Sequence, residues 1–232
     1  MKRIPAPNRL LSALPRTGRQ RFVAACEQVN LSLGEVLCEQ GDRIHHVYFP
    51  TEGFVSLLAS IGNSESLEVG LVGDEGMIGI PVMLGIDISP LRALVQGSGA
   101  ALRIKVAPFC REVAQNLAFQ RELHRYLYVV MAQRSGAAAC TRFHVVEERL
   151  ARWLLMTRDR AHSDDFHITH DFLSNILGVR RVGVTKAAGA LQERKLISYR
   201  RGNITVLDHG GLESASCACY RAEKDVYERF LG

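Results

Sequence analysis

From about Leu31 to Leu102, short apolar segments alternate with turn signals at Gly34, Gly41-Asp42, Thr51-Glu52-Gly53, Gly62-Asn63, Gly73-Asp74 and Gly85. The segments include Val47-Tyr48-Phe49, Phe54-Val55-Ser56-Leu57-Leu58 and Leu91-Arg92-Ala93-Leu94-Val95, and the rhythm predicts an antiparallel β sandwich or roll. Before it, Asn8 to Val29 sets Leu10, Leu11, Leu14, Phe22 and Val23 among polar residues, the pattern of one or two short helices. The texture changes at Pro108, a residue suited to a helix's first turn, because its missing N–H has no partner to lose there. From Phe109 to Ser135 there is neither glycine nor proline, and Val113, Leu117, Leu127, Val130 and Met131 share a stripe. A helix continuing to Thr141 would be ~50 Å long at ~1.5 Å per residue.

A half-apolar helix of that length must bury its stripe, so a twin helix across a two-fold axis is expected, with Gly136-Ala137-Ala138-Ala139 permitting close approach. A single long core helix within one chain is the alternative. A second helix is predicted over Val146 to Arg160, with Leu150, Trp153, Leu154 and Thr157 facing inward, ending at His162-Ser163-Asp164-Asp165. Thr169 then caps a short helix, His170 to Leu177, which Gly178 breaks, and another helix runs from about Arg180 to Arg194. Leu173, Ser174, Leu177, Gly178, Val179, Val184 and Ala187 occupy the offsets that let two helices pack across a tight turn. Ile197 to Leu207 reads as two alternating strands around a Gly-Asn turn with Arg200 and Arg201 at the tip, a wing. The tail from Gly210 to Gly232 reads as a final helix anchored by Tyr220, Tyr227 and Phe230.

The chain has 232 residues, is 47% hydrophobic and 23% charged, and so reads as a globular protein of one large or two modest domains. No apolar run approaches the ~18 residues a bilayer span needs, and polar residues follow the N-terminal Met1-Lys2-Arg3-Ile4-Pro5-Ala6-Pro7, so no membrane association and a cytoplasmic location are expected. The formal net charge is +5, and the segment Phe166–Leu207 carries that whole excess, with seven basic residues against two acidic ones. A local cationic surplus of this kind is the footprint of a nucleic-acid contact. Arg180, Arg181 and Lys186 sit at the start of the second helix of the pair, the end that enters a major groove. Arg181 and Lys186 are candidates for base edges or phosphates, Thr185 for a hydrogen bond to either, and Arg200 and Arg201 for the phosphate backbone.

The six cysteines, Cys26, Cys38, Cys110, Cys140, Cys217 and Cys219, are too sparse for a disulfide framework and are expected to be reduced. Metal binding is not expected: there is no Cys-x-x-Cys, and Cys217-Ala-Cys219 has no second ligand pair nearby in sequence.

Taken in order, the chain resembles the Crp/Fnr family of bacterial transcription regulators along nearly its whole length. The residues that carry the resemblance are Leu33-Gly34-Glu35-Val36-Leu37-Cys38-Glu39-Gln40-Gly41-Asp42, Gly73-Asp74-Glu75-Gly76, the long helix, and Ile168-Thr169 through Ile197-Ser198. The resemblance implies an α+β chain with three parts. These are a jelly-roll (double-stranded β-helix) sensor domain similar to cyclic-nucleotide-binding domains over 1–108, a dimerisation helix and linker over 109–142, and a winged helix-turn-helix over 143–232. It implies a homodimer that binds palindromic double-stranded DNA, contacts RNA polymerase or blocks it, and is no enzyme. Its DNA-binding residues would be Thr169, Arg180, Arg181, Gly183, Thr185, Lys186, Arg200 and Arg201. An unidentified small-molecule effector would meet Gly73, Asp74, Glu75, Gly76, Leu91 and Arg92.

Departures from the family pattern shape the expectations. Nucleotide-binding members hold the cyclic phosphate with an Arg-Ser pair, whereas Leu91-Arg92 stands here. A buried phosphate needs a cation and aligned donors, which Leu91 cannot supply, so cyclic AMP is not the expected ligand. An iron–sulfur sensor would need several N-terminal cysteines, and only Cys26 and Cys38 lie there. Haem needs only one histidine, but His45, His46, His124 and His144 read as ordinary surface or core residues. Val182-Gly183 replaces the acidic residue and threonine common after the first arginine of the recognition helix, which changes the base that is read. Two other readings stay open: a cupin-like metal-binding β-roll enzyme, which would need a different histidine spacing from His45-His46, and a ligand-binding module whose winged helix binds protein.

Overall fold

The computed structural model describes residues 8–61 and 65–232; the expected turn at Gly62-Asn63 and the run Met1–Pro7 lie outside the described residues. Helices α1 (Arg9–Ser12) and α2 (Arg16–Ala24) come first, and Asn8 caps α1 by accepting from the Leu11 N–H. Leu10, Leu11, Leu14 and Phe22 are buried as expected, while Val23 is 37% exposed. Strands β1 (Glu27–Leu31), β2 (Val36–Cys38), β3 (His46–Ile61), β4 (Glu65–Val72) and β5 (Arg92–Lys105) form an antiparallel sheet in the order β1-β5-β3-β4, with β2 also on β5. A 3-10 helix, Ile80–Leu84, joins the last two strands.

One expected turn is absent. Thr51-Glu52-Gly53 does not end a strand: Val47–Phe49 and Phe54–Leu58 belong to the single strand β3, whose register on β5 shifts at Pro50/Glu52 and Glu52/Phe54. The residues that signalled a turn instead make a bulge. Gly53 has φ +74°, and a Cβ there would stand 2.2 Å from the Gly97 carbonyl, so only glycine allows the strands to stay paired.

The long helix is also two helices, α3 (Val106–Ala114) and α4 (Leu117–Phe143). Pro108 lies in the first turn of α3, but the chain breaks at Gln115-Asn116, because the Asn116 side chain accepts from the Phe119 N–H and starts α4 afresh. The bend brings Phe109 and Phe119 together with ring centroids 6.3 Å apart, and Phe22 stands edge-on to Phe119 at 4.8 Å. With 27 residues α4 is ~40 Å long. The expected apolar stripe divides: Val130 turns into the β-roll core, while Leu117 and Met131 are 68% and 62% exposed.

Helix α5 (Val146–Ala161) ends where His162 takes a left-handed conformation, φ 49°. Strand β6 (Asp165–His167), which the sequence pattern did not suggest, precedes α6 (His170–Leu177) and α7 (Arg181–Glu193). Strands β7 (Ile197–Arg200) and β8 (Asn203–Val206) follow, the sheet order being β6-β8-β7. Two helices, α8 (His209–Ala215) and α9 (Cys219–Leu231), stand in place of the single terminal helix. Leu150, Leu154, Leu173, Val184, Leu191 and Ile197 make a core sealed from solvent, and Phe54 and Leu71 of the β roll belong to the same cluster. Tyr220 and Tyr227 anchor α9 as expected, and Phe230 packs edge-on to Tyr128 of α4 at 4.7 Å.

Candidate nucleic-acid interface

The two-helix unit is fixed from three sides. Thr169 Oγ1 accepts from the Phe172 N–H and caps α6; at the other end Gly178 turns with φ 61°, ψ 43°. The Arg149 guanidinium of α5 donates to the Leu177 carbonyl, which satisfies the negative end of α6. Leu173, Ile176 and Leu177 of α6 then meet Val184, Ala187, Ala188 and Leu191 of α7.

This packing leaves the other side of α7 in water. Arg180, Arg181, Val182, Thr185 and Lys186 are exposed, and Gly183 has open space where a side chain would stand. Arg181 Nε lies 3.1 Å from Asp171 Oδ1, but both groups are well solvated, so the pair is weak and easily exchanged for a phosphate. Arg180, Lys186, Arg200 and Arg201 have no carboxylate partner among the described residues, whereas Arg194 is drawn to Glu147 at 2.9 Å.

The wing is present with a different tip. Arg200 pairs with Asn203, so the turn is Arg201-Gly202, with φ 51° and 83°, and not the expected Gly-Asn pair. Positive φ at both central residues is the geometry that fits the twist of a two-residue hairpin. It leaves Arg200 and Arg201 exposed at the hairpin's end.

Three residues not singled out from sequence tie α7 to the wing. The His170 ring stacks on Tyr199 of β7 at 4.3 Å with 12° between planes, and its Nδ1 is 3.1 Å from Thr185 Oγ1. Burial and the nearby Arg181 guanidinium hold the His170 pKa below its usual value, which favours the neutral ring. Gln192 accepts from the Tyr199 N–H at 2.7 Å. Thr185 also donates to the Arg181 carbonyl at 3.1 Å, which occupies its only proton and leaves it an acceptor toward any ligand. An aromatic stack with a hydrogen bond across 15 residues gives no periodic sequence signal.

The six expected effector residues do not converge. Glu75 is held by Arg160 of α5 at 2.8 Å, and its carbonyl accepts from Tyr227 at 3.1 Å. The Tyr126 hydroxyl fills the space beside Gly76, and the Arg160 side chain fills that beside Gly73. The turn Gly73–Gly76 is thus packed by α4, α5 and α9, with Asp74 and Glu75 bordering a cleft of about 310 Å³. Leu91 lines a separate, largely apolar cavity of about 310 Å³ between the β roll and α4, together with Tyr48, Leu57, Ile78, Leu127 and Arg134. Arg92 points elsewhere, to Glu39 at 3.3 Å.

Residues 148–215 match the family model for the Crp-like helix-turn-helix domain. No curated protein matches the chain in sequence. A Crp/Fnr-family transcriptional regulator from Thermus thermophilus is 23% identical at a TM-score of 0.67, covering 82% of this chain and 98% of its own. FixK2 from Bradyrhizobium japonicum is 13% identical at 0.70, covering 83% and 98%. The c-di-GMP-responsive global regulator CLP from Xanthomonas campestris is 15% identical at 0.68, covering 83% and 99%. Residues 148–215 are thus a Crp-like helix-turn-helix domain, set behind a β roll and long helix in the fold that these regulators share.

Proposed function

We infer that the protein is a homodimeric, sequence-specific regulator that lays α7 in the major groove and sets Arg200 and Arg201 of the wing on the phosphate backbone. The observation that carries this is the exposed, carboxylate-poor face formed by Arg180, Lys186, Arg200 and Arg201 beside Arg181 and Val182. Phosphate contacts give affinity, while Arg181, Lys186 and the acceptor Thr185 would read bases, with Val182 offering an apolar contact to a thymine methyl. Thr169 keeps its proton while accepting from Phe172, so it can donate to a phosphate. Gly183 would let the duplex approach α7 closely. Selection of duplexes from a random pool tests this reading: wild type should enrich one palindrome, and R181A/K186A should lose most of that affinity. If the purified protein enriches no sequence, the reading is wrong.

The two-fold axis would run along α4. Leu117, Arg121, His124, Tyr128, Met131, Ser135, Ala138 and Arg142 are all exposed and alternate in steps of four and three, the spacing of a coiled-coil seam. A second copy laid there would cover Leu117 and Met131, and M131E should convert a dimer to a monomer in light scattering.

The division into a sensor over 1–108, a connector over 109–142 and a winged helix over 143–232 follows from the same reading, with RNA polymerase as the further partner. The effector would enter the cavity lined by Leu91 and Arg134, and its apolar wall suits a small hydrophobic ligand better than cyclic AMP. With Arg92 paired to Glu39, the cyclic phosphate has no counterpart of the Arg-Ser pair. Calorimetry with cyclic AMP should give no heat of binding; saturable binding would overturn this part. Because β4 and the Gly73–Gly76 turn touch α5 and α6, a ligand preferring one arrangement of the roll and α4 would shift the recognition helices by its differential affinity.

A further inference from the structure

Among the described residues, one group of His, Cys, Asp and Glu side chains is close enough to hold a metal ion, and it lies outside the DNA-facing surface and both cavities described above. Cys140 and His144 stand one turn apart at the end of α4; Cys217 and Cys219 flank the turn between α8 and α9. Their ligand atoms all lie within 4.8 Å of one another. Cys140 Sγ is 3.5 Å from Cys217 Sγ, and Cys219 Sγ is 3.6 Å from His144 Nδ1. A zinc tetrahedron with metal–sulfur bonds of ~2.3 Å and a metal–nitrogen bond of ~2.0 Å has edges of ~3.5–3.8 Å, so little movement separates these atoms from coordination.

We propose that Cys140, His144, Cys217 and Cys219 form a structural zinc site that clamps the α8–α9 turn to the end of α4. All four positions are filled by protein, which is the closed form of a structural site and leaves no place for substrate or water. A mixed thiolate and imidazole set selects zinc over hard cations. The compactness argues against an iron–sulfur cluster, whose ligands spread over more than one iron. Binding would release the three thiol protons and leave the centre with one net negative charge. Arg149 and Arg152 of α5 lie near enough to Cys140 and Cys217 to oppose it. His144 is also one of the two residues between α4 and α5, so the ion would fix the joint that sets the helix-turn-helix against the long helix.

The test uses full-length protein produced with zinc in the medium and purified reduced, without chelator. Elemental analysis should give about one zinc per chain, and Co²⁺ added to the demetallated protein should give the visible bands of a tetrahedral, sulfur-rich site saturating at about one equivalent. C219S and H144A should each lower zinc content at least about tenfold after dialysis against a weak chelator, whereas the triple variant C26S/C38S/C110S should retain it. Should C219S fail to fold, the cobalt spectrum of wild type and the triple variant still decide. Less than about 0.1 zinc per chain with all six thiols free, a Cys140–Cys217 disulfide in its place, or metal lost from the triple variant would each overturn the proposal.

Discussion

Arg160 Nε of α5 lies 2.8 Å from Glu75 Oε1, an ion pair that joins the helix before the recognition unit to the turn after β4. Both side chains are about nine-tenths removed from water, and Arg160 also faces Glu223 of α9 at 3.7 Å. Its charge is held by two carboxylates, so the two halves of the contact are unequal. R160M strands Glu75 in a largely buried site, while Glu223 keeps Arg152 at 2.6 Å, and should cost about 3–5 kcal/mol. E75Q leaves Arg160 with Glu223 and should cost about 1–2 kcal/mol. Chemical unfolding of both variants checks this order, and a larger loss for E75Q would contradict it.

Glu68 on β4 accepts from Trp153 Nε1 at 2.8 Å and from Ser56 Oγ at 2.7 Å. Burial pushes its pKa from the ordinary 4.5 up to about 7, against these hydrogen bonds and the pull of Arg160 and Arg152. The native state therefore binds this proton more tightly than the unfolded chain does. Its contribution to stability is complete below about pH 4.5 and is lost as pH rises through about 7. Trp153 is the sole tryptophan, so its emission should titrate with a midpoint near 7 in wild type and not in E68Q. A titration unchanged in E68Q would assign it to another group.

Gly178 and Gly183 predict opposite outcomes for the same substitution. At Gly178 the backbone is left-handed and a Cβ would stand 2.9 Å from Leu67 Cδ1, so G178A should lower stability by at least about 1–2 kcal/mol. At Gly183, inside α7 with open space, G183A should raise helix stability by up to about 1 kcal/mol. If α7 lies in a groove, G183A should still weaken DNA binding. Thermal melts and binding curves on the two proteins separate the effects.

Legibility followed range along the chain. The helix-turn-helix is readable because Leu173, Gly178, Val184 and Leu191 act within ~20 residues at helical spacing, and their burial is what that spacing demands. Thr51-Glu52-Gly53 misled because turn residues also make bulges, and only the pairing of β3 with β5 distinguishes the two. The break at Asn116 has the same origin: a capping residue is an ordinary polar residue until the Phe119 N–H meets it. Cys140 and Cys217 were invisible as a pair, since 77 residues separate thiols 3.5 Å apart. The expected effector set failed to gather because Arg160 and Tyr227, which occupy the Gly73–Gly76 turn, come from elements far along the chain.

The central claim is that the surface of Arg180, Arg181, Lys186, Arg200 and Arg201 binds duplex DNA, and its most direct measurement is the salt dependence of affinity for the selected duplex. Wild type should show a steep linear fall of log K with log salt, and R200A/R201A should reduce that slope by about 1 for each phosphate contact removed while leaving the preferred sequence unchanged. A slope near zero for wild type, or one unaltered in R200A/R201A and R181A/K186A alike, would contradict the account.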